Sequence, residues 1–334
     1  MDGTAKVWNT ETGHELAPLI GHEGRVERTI YSPDGQKILT ASWDGTAKIW
    51  DAKTGRNLVT LIGHDGRLWS ARYSPDGRRI VTAGWDGIAK IWDAETSQEL
   101  VTLTGHRDWV TSAVYSPDGS GILTTSMDKT AKVWATETGQ EVMTLKGHDS
   151  GVRSASYNID GNRIITAGLD GKAKVWDSKT AQEIGSLIGH KGGVMTATYS
   201  PDGERIVTAS MDNTAKIWDS KTMQEIVSLI GHKGEIVTAT YSPNGQQIVT
   251  ASYDGTAKVW DAETGLELVT LTGHDGRVTS ATYSPNEQRI VTSGTDAIIR
   301  IYTTDIHELL QMAEARVTRQ LTNKEKEKYG VRDW

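Results

Sequence analysis

Seven histidines stand 42 residues apart in this chain, each followed at fixed distances by a threonine, an aspartate and an aromatic residue. Six sets are complete. They are His22, Thr40, Asp44 and Trp50; His64, Thr82, Asp86 and Trp92; His106, Thr124, Asp128 and Trp134; His148, Thr166, Asp170 and Trp176; His190, Thr208, Asp212 and Trp218; and His232, Thr250, Asp254 and Trp260. A seventh begins at His274 with Thr292 and has Tyr302 in the tryptophan's place. Imidazole beside carboxylate is a combination used in general acid–base catalysis and in metal ligation. Repetition speaks against both, because an enzyme needs one site and seven copies in one register are what a structural device looks like. The sequence also has no Gly-rich phosphate loop, no His-Glu zinc spacing, no Gly-x-Ser-x-Gly elbow and no calcium loop of alternating Asp. The expectation is a protein that is not an enzyme and takes no cofactor or metal.

The element that must position these residues is typified by Gly231 to Asp261, GHKGEIVTATYSPNGQQIVTASYDGTAKVWD, of which nearly every other part of the chain is a copy. In the first copy Arg25 to Tyr31, Lys37 to Ser42, Thr46 to Trp50 and Asn57 to Ile62 read as strands A to D, rich in β-branched residues and bounded by turns. Ser32-Pro33-Asp34-Gly35 joins A to B, Pro setting φ and Gly supplying φ > 0, and Lys53-Thr54-Gly55 joins C to D. The fourth copy has Asn158-Ile159-Asp160-Gly161 in the first turn and keeps the Asp-Gly pair.

A period of this length, with Gly-His near its start and Trp-Asp near its end, resembles the WD-repeat family of β-propellers, and the close similarity among copies resembles bacterial members of it. The resemblance implies an all-β, seven-bladed β-propeller of four-stranded antiparallel blades over residues 1–304. It also implies that the recurrent residues form a buried hydrogen-bond chain, indole N–H to hydroxyl, hydroxyl to imidazole, imidazole to carboxylate. The donor and acceptor inventory fits that chain.

The first residues, MDGTAKVWN, match MDNTAKIWD at Met211 to Asp219, so the chain starts inside a copy, as expected of the last part of a longer repeat array. Two segments compete for strand C of the last blade, Thr4 to Trp8 and Ile298 to Tyr302. Cheap closure of a local hairpin favours the second, with His14 to Ile20 as strand D and Pro18 suited to that outermost strand. Beyond Tyr302 the period ends. Residues 305–334 read as a short helical tail, with Asp305 and Glu308 spaced as N-cap and N3 and Ile306, Leu309, Leu310, Ala313 and Val317 on one face. That face packs on the propeller or docks a partner.

An unbroken period over 334 residues argues for one ring rather than two domains. The net charge of −7 repels nucleic acid and anionic lipid, and no apolar run approaches the ~18 residues of a membrane span. Nothing near Met1 looks like an export signal. We expect a cytoplasmic protein with no nucleic-acid or membrane partner.

Alternating strand directions put the D–A loops and B–C turns at one end, and the A–B and C–D turns at the other. The second end is near-constant; the first carries what differs between copies. Immediately before the aspartate stand Trp43, Trp85, Met127, Leu169, Met211, Tyr253 and Thr295; three residues after the histidine stand Arg25, Arg67 and Trp109 in the first three copies; and five after it stand Glu27, Trp69 and, in the fourth, Arg153. Of the 12 tryptophans, the four outside strand C and the chain end, Trp43, Trp69, Trp85 and Trp109, all fall at these places. Trp, Tyr, Arg and Met are enriched at interfaces. The four tryptophans with Arg25, Arg67, Met127, Met211 and Tyr253 are therefore the candidate site for a protein or peptide partner, in a scaffold or sensor. A carbohydrate-binding propeller using Trp platforms is an alternative and predicts several similar pockets; a propeller enzyme is a more distant one. The plainer reading lays these side chains over the rim of the core. Arg72 and Arg153 read as solvated strand charges.

Overall fold

The computed structural model describes residues 4–8, 15–52, 54–287, 289–295 and 299–303. The segment read as a helical tail, residues 305–334, lies outside the described residues. No helix among the described residues is long and apolar enough to cross a membrane.

Six antiparallel sheets each hold four consecutive strands, and a further sheet holds three. In the first, strands A to D are Val26–Tyr31, Lys37–Ser42, Ala47–Asp51 and Asn57–Leu61, close to the bounds read from sequence. Strand B is paired on both edges and buries all but its first residue, as in Arg79–Gly84, whereas strand D exposes its first two residues, as in Glu141–Lys146. Each A strand lies beside the A strand of the next sheet, and the last, Val278–Tyr283, lies against the first, Val26–Tyr31, so the sheets close a ring as a β-propeller.

The core sits between sheets. Leu39, Ala41 and Ile49 of the first sheet pack with Leu68, Ile80 and Trp92 of the second. A single sheet would leave both apolar faces in water, so every blade depends on its neighbours. Around the centre, hydroxyls of one A strand satisfy carbonyls on the next, which have no strand partner there. Thr111 Oγ1 donates to Val152 O at 2.6 Å, Ser156 Oγ to Ala197 O at 3.2 Å and Thr198 Oγ1 to Ala239 O at 3.3 Å.

All seven A–B pairings break register at the second residue of strand A, the residue five after the histidine. Such a bulge re-aims one side chain, and here it acts on Glu27, Trp69, Arg153 and their equivalents. The A–B turn recurs even where Ser-Pro is missing: Gly161 N–H donates to Asn158 O at 3.0 Å, as Gly35 does to Ser32 O at 2.9 Å.

The last blade differs from expectation. Its strand C is Ile299–Thr303, with Thr292 opposite Arg300, so the C-terminal of the two candidates fills the place. The expected strand D does not join it. Glu15–Ile20 pairs instead with Thr4–Trp8 in a separate two-stranded sheet, and Thr4–Trp8 lies beside Ile299–Thr303. The rule that chose between the two C strands governs both results. Short loops close at less entropic cost, so Glu15–Ile20 folds onto its local partner as Ile299–Thr303 folds onto Arg289–Gly294.

Candidate functional site

In six blades the recurrent residues meet. Trp50 Nε1–H donates to Thr40 Oγ1 at 2.9 Å, Thr40 Oγ1 lies 2.7 Å from His22 Nε2, and His22 Nδ1 lies 2.7 Å from Asp44 Oδ2. The other five sets keep these distances within 2.7–2.9 Å. Asp44 Oδ2 also accepts from the Glu23 N–H at 3.0 Å and Oδ1 from the Thr46 N–H at 2.9 Å, which ties the D–A loop to the B–C turn. In the last blade His274 Nε2 lies 2.8 Å from Thr292, but the Tyr302 hydroxyl turns to Thr272 O at 3.1 Å.

Burial alone would raise the Asp44 carboxyl, but hydrogen bonds from His22 and Thr46 outweigh it and hold the group below the usual carboxylate range. Asp212, buried likewise and held by Thr214, the Lys191 N–H and His190, falls to about 2. Burial pushes His148, His190 and His232 down, against the opposing pull of their aspartates. A neutral imidazole then donates from Nδ1 to Asp and accepts at Nε2 from Thr. The six threonines are 0% exposed, so no reactant reaches the hydroxyls. Among the described residues no cluster of His, Asp and Glu is arranged to hold a metal.

The sequence reading missed a second repeated device. The strand-C lysine pairs with a strand-D glutamate nine residues on: Lys90–Glu99 at 2.7 Å, Lys174–Glu183 at 2.8 Å and three equivalents. In the first blade Asn57 replaces the glutamate and Lys48 bonds Thr60 Oγ1 at 3.0 Å. The recurring spacing of opposite charges was the available signal.

At the loop end, the residue before each aspartate donates its N–H to the carbonyl of the residue three after the histidine, at 2.8–3.0 Å in all seven blades. Trp43 is thereby seated beside Arg25, Trp85 beside Arg67 and Met127 beside Trp109. Four indoles converge. Trp43, Trp69 and Trp85 lie within 6.0–6.3 Å of one another, and Trp85 stacks on Trp109 at 4.3 Å with 4° between the planes. The Arg67 guanidinium sits between Trp43 and Trp85, at 4.2 and 4.4 Å from the ring centres, and Arg25 is 4.9 Å from Trp43. Cation–π attraction of this kind strengthens when the partners are drawn out of water.

Exposure divides the cluster. Trp109 is 39% exposed, whereas Trp43, Trp69 and Trp85 are partly buried and their Nε1–H groups are enclosed without acceptors. Trp109 lies on Trp85, which packs in turn with Trp43 and Trp69. Met211 and Tyr253 sit elsewhere on the ring, and Met127 borders the cluster through Trp109. Met127 packs where Gly151 has no side chain, a Cβ there falling 2.7 Å from its sulfur; Met211 is 38% exposed; and Tyr253 lies under the Arg277 guanidinium at 4.7 Å.

The odd arginines of the A strands need a correction. Arg153 is not a solvated charge, for its guanidinium crosses from the fourth blade to lie 4.5 Å from the Trp69 ring of the second. Arg72 and Arg28 are also partly buried, and burial pushes all three guanidiniums down, Arg28 to about 10 with Arg72 adding repulsion. Arg28 was overlooked in the sequence, although the other six A strands have Ser or Thr in its place.

No curated protein sequence matches the chain. The family model for the WD domain, G-beta repeat, matches it seven times, at residues 13–51, 55–93, 97–135, 139–177, 181–219, 223–261 and 265–303. Propellers built of such repeats are typically scaffolds for protein interaction and generally non-catalytic. With the matches covering most of the sequence at the same period as the observed sheets, each match joining strand D of one sheet to strands A to C of the next, this chain belongs to the WD domain, G-beta repeat family.

Proposed function

We propose that this seven-repeat propeller is a non-catalytic platform that docks a protein or peptide on the end formed by its D–A loops and B–C turns, through the tryptophan sector. The observation that carries the reading is Trp109, a large exposed ring stacked on Trp85 and braced by Trp43, Trp69 and Arg67. A rigid exposed aromatic on a packed base loses little freedom on binding, which is the character of an interface hot spot. The sector is one contiguous cluster, whereas a glycan-binding propeller would carry similar pockets on several blades. On this reading the recurrent Thr-His-Asp-Trp sets hold the loops in place and do no chemistry. The protein works in the cytoplasm, and its net charge of −7 turns away nucleic acid and anionic membranes.

The test is a pull-down from the native host comparing the parent with Trp109→Ala, and with Lys37→Ala at the opposite end as control. The partner should be lost with Trp109→Ala alone. Equal capture by Trp109→Ala and the parent removes the sector as the docking surface.

A further inference from the structure

The opposite end of the ring, remote from the tryptophans, holds a funnel of about 520 Å³ at the centre of the A strands. Its wall is made of tyrosines and Ser-Pro turns, with the hydroxyl residues Ser156 and Thr282, and it contains one charged residue, Arg72. The turn aspartates Asp34, Asp76 and Asp118 do not line it. Arg72 is the fifth residue of its A strand and Arg28 the third of the neighbouring one. Because side chains alternate along a strand, the two share a face direction, Arg28 one step deeper along the axis.

Among the described residues no acidic group acts on Arg72, and the only carboxylate acting on Arg28 is Glu27, which Arg25 and Arg153 share. Neither makes a hydrogen bond or ion pair among the described residues. The one acidic residue on any A strand, Glu27, is 3.1 Å from Arg25 and also attracts Arg28 and Arg153, so a single carboxylate is divided among three guanidiniums. Arg153, the third guanidinium, is spent on Trp69. Burial pushes Arg28 and Arg72 down, and the nearness of Arg72 pushes Arg28 further, against a weaker opposing pull from Glu27. A buried charge is normally paired, and guanidinium groups present forked donors that match tetrahedral oxyanions.

We propose that the funnel is an oxyanion site that takes a phosphate group, free or as a small organic monoester, with Arg72 on its wall and Arg28 beneath as the cationic ligands. Two guanidiniums with only a share of one carboxylate between them favour a dianion over a monocarboxylate. This site is independent of the tryptophan sector, and either reading stands if the other fails.

The experiment is a titration of the full chain with inorganic phosphate and, separately, glycerol 3-phosphate, against chloride and acetate at matched ionic strength, read by calorimetry and by thermal unfolding. Phosphate should raise the melting temperature where chloride and acetate do not, since a ligand bound only to the folded state stabilises it. Arg72→Met and Arg28→Met should each weaken binding at least about ten-fold. Arg72→Met should not lower the melting temperature measured without phosphate, because it removes a charge on which no acidic group acts. Arg72→Lys, which keeps the charge and loses the fork, should fall between parent and Arg72→Met, and Arg153→Met should bind as the parent does. Tighter binding of the monoester or of free phosphate supports the proposal either way and tells which source it serves. No stabilisation beyond that of chloride, or parental affinity in Arg72→Met, overturns it.

Discussion

Thr166 serves two neighbours at once, accepting from Trp176 Nε1 at 2.9 Å and lying 2.8 Å from His148 Nε2. Thr166→Val keeps the shape and strands both. Unmade buried hydrogen bonds cost about 1–3 kcal/mol each, so the variant should melt lower while binding any partner as before; an unchanged melting curve with lost binding would make the site functional. The same sets give acid sensitivity a sign. Burial holds His148, His190 and His232 below the ordinary histidine value of 6.5, so the unfolded chain takes up more protons as pH drops past that value. Their stability is present above pH 6.5 and is lost as pH falls toward their folded values. The aspartates, held below 3.8, act in the same direction lower down. Thermal melts should therefore show stability declining from near pH 6.5 and again below 3.8; a melting temperature that climbs on acidification from neutral would contradict this. At this scale the recurrent sets were legible because repetition marks them, whereas Arg28 was not, since a single odd residue shows its meaning only when the ring brings it beside Arg72.

Among the elements, the C–D turn shows how copies adjust to each other. Its last residue has positive φ, and is Gly55, Gly139 or Gly265 in three blades but Ser97, Ala181 and Met223 in others. At Gly139 and Gly265 a valine of the preceding blade presses in: a Cβ at Gly265 would fall 2.6 Å from Val227. The fifth blade inverts the arrangement, with Met223 on the turn and Gly185 in the facing strand, where a Cβ would meet Met223 Cγ at 3.2 Å. Gly185→Val should overpack this contact and destabilise by about 1–3 kcal/mol, and adding Met223→Gly should recover most of the loss, a coupling that a double-mutant cycle measures. Additive effects would show that the two residues do not share the space. Strand bounds and turns were readable from Ser-Pro-Asp-Gly and alternating apolar residues, because those signals are local. The fate of Glu15–Ile20 was not, since it rests on competition between two strand C candidates at opposite ends of the chain.

The whole molecule is a ring whose two ends have different characters. Backbone links between D–A loops and B–C turns repeat at 2.8–3.0 Å around one end, and only the side chains they carry vary from blade to blade. That is why comparing copies located Trp43, Trp69, Trp85 and Trp109, and why it did not show which of them face water: the bulge and the ring closure settle that, drawing Trp69 under Arg153 and leaving Trp109 outermost. Truncating Trp69 would thus disturb the base of the cluster as well as any contact, and Trp109 is the cleaner probe. The most direct measurement of the central claim is the dissociation constant of the captured partner for the parent, Trp109→Ala and Lys37→Ala. We expect Trp109→Ala to weaken binding by about 2 kcal/mol or more, the loss typical of a hot-spot aromatic, with its melting temperature and the affinity of Lys37→Ala near those of the parent. Equal affinity in all three, with the fold intact, would contradict the account.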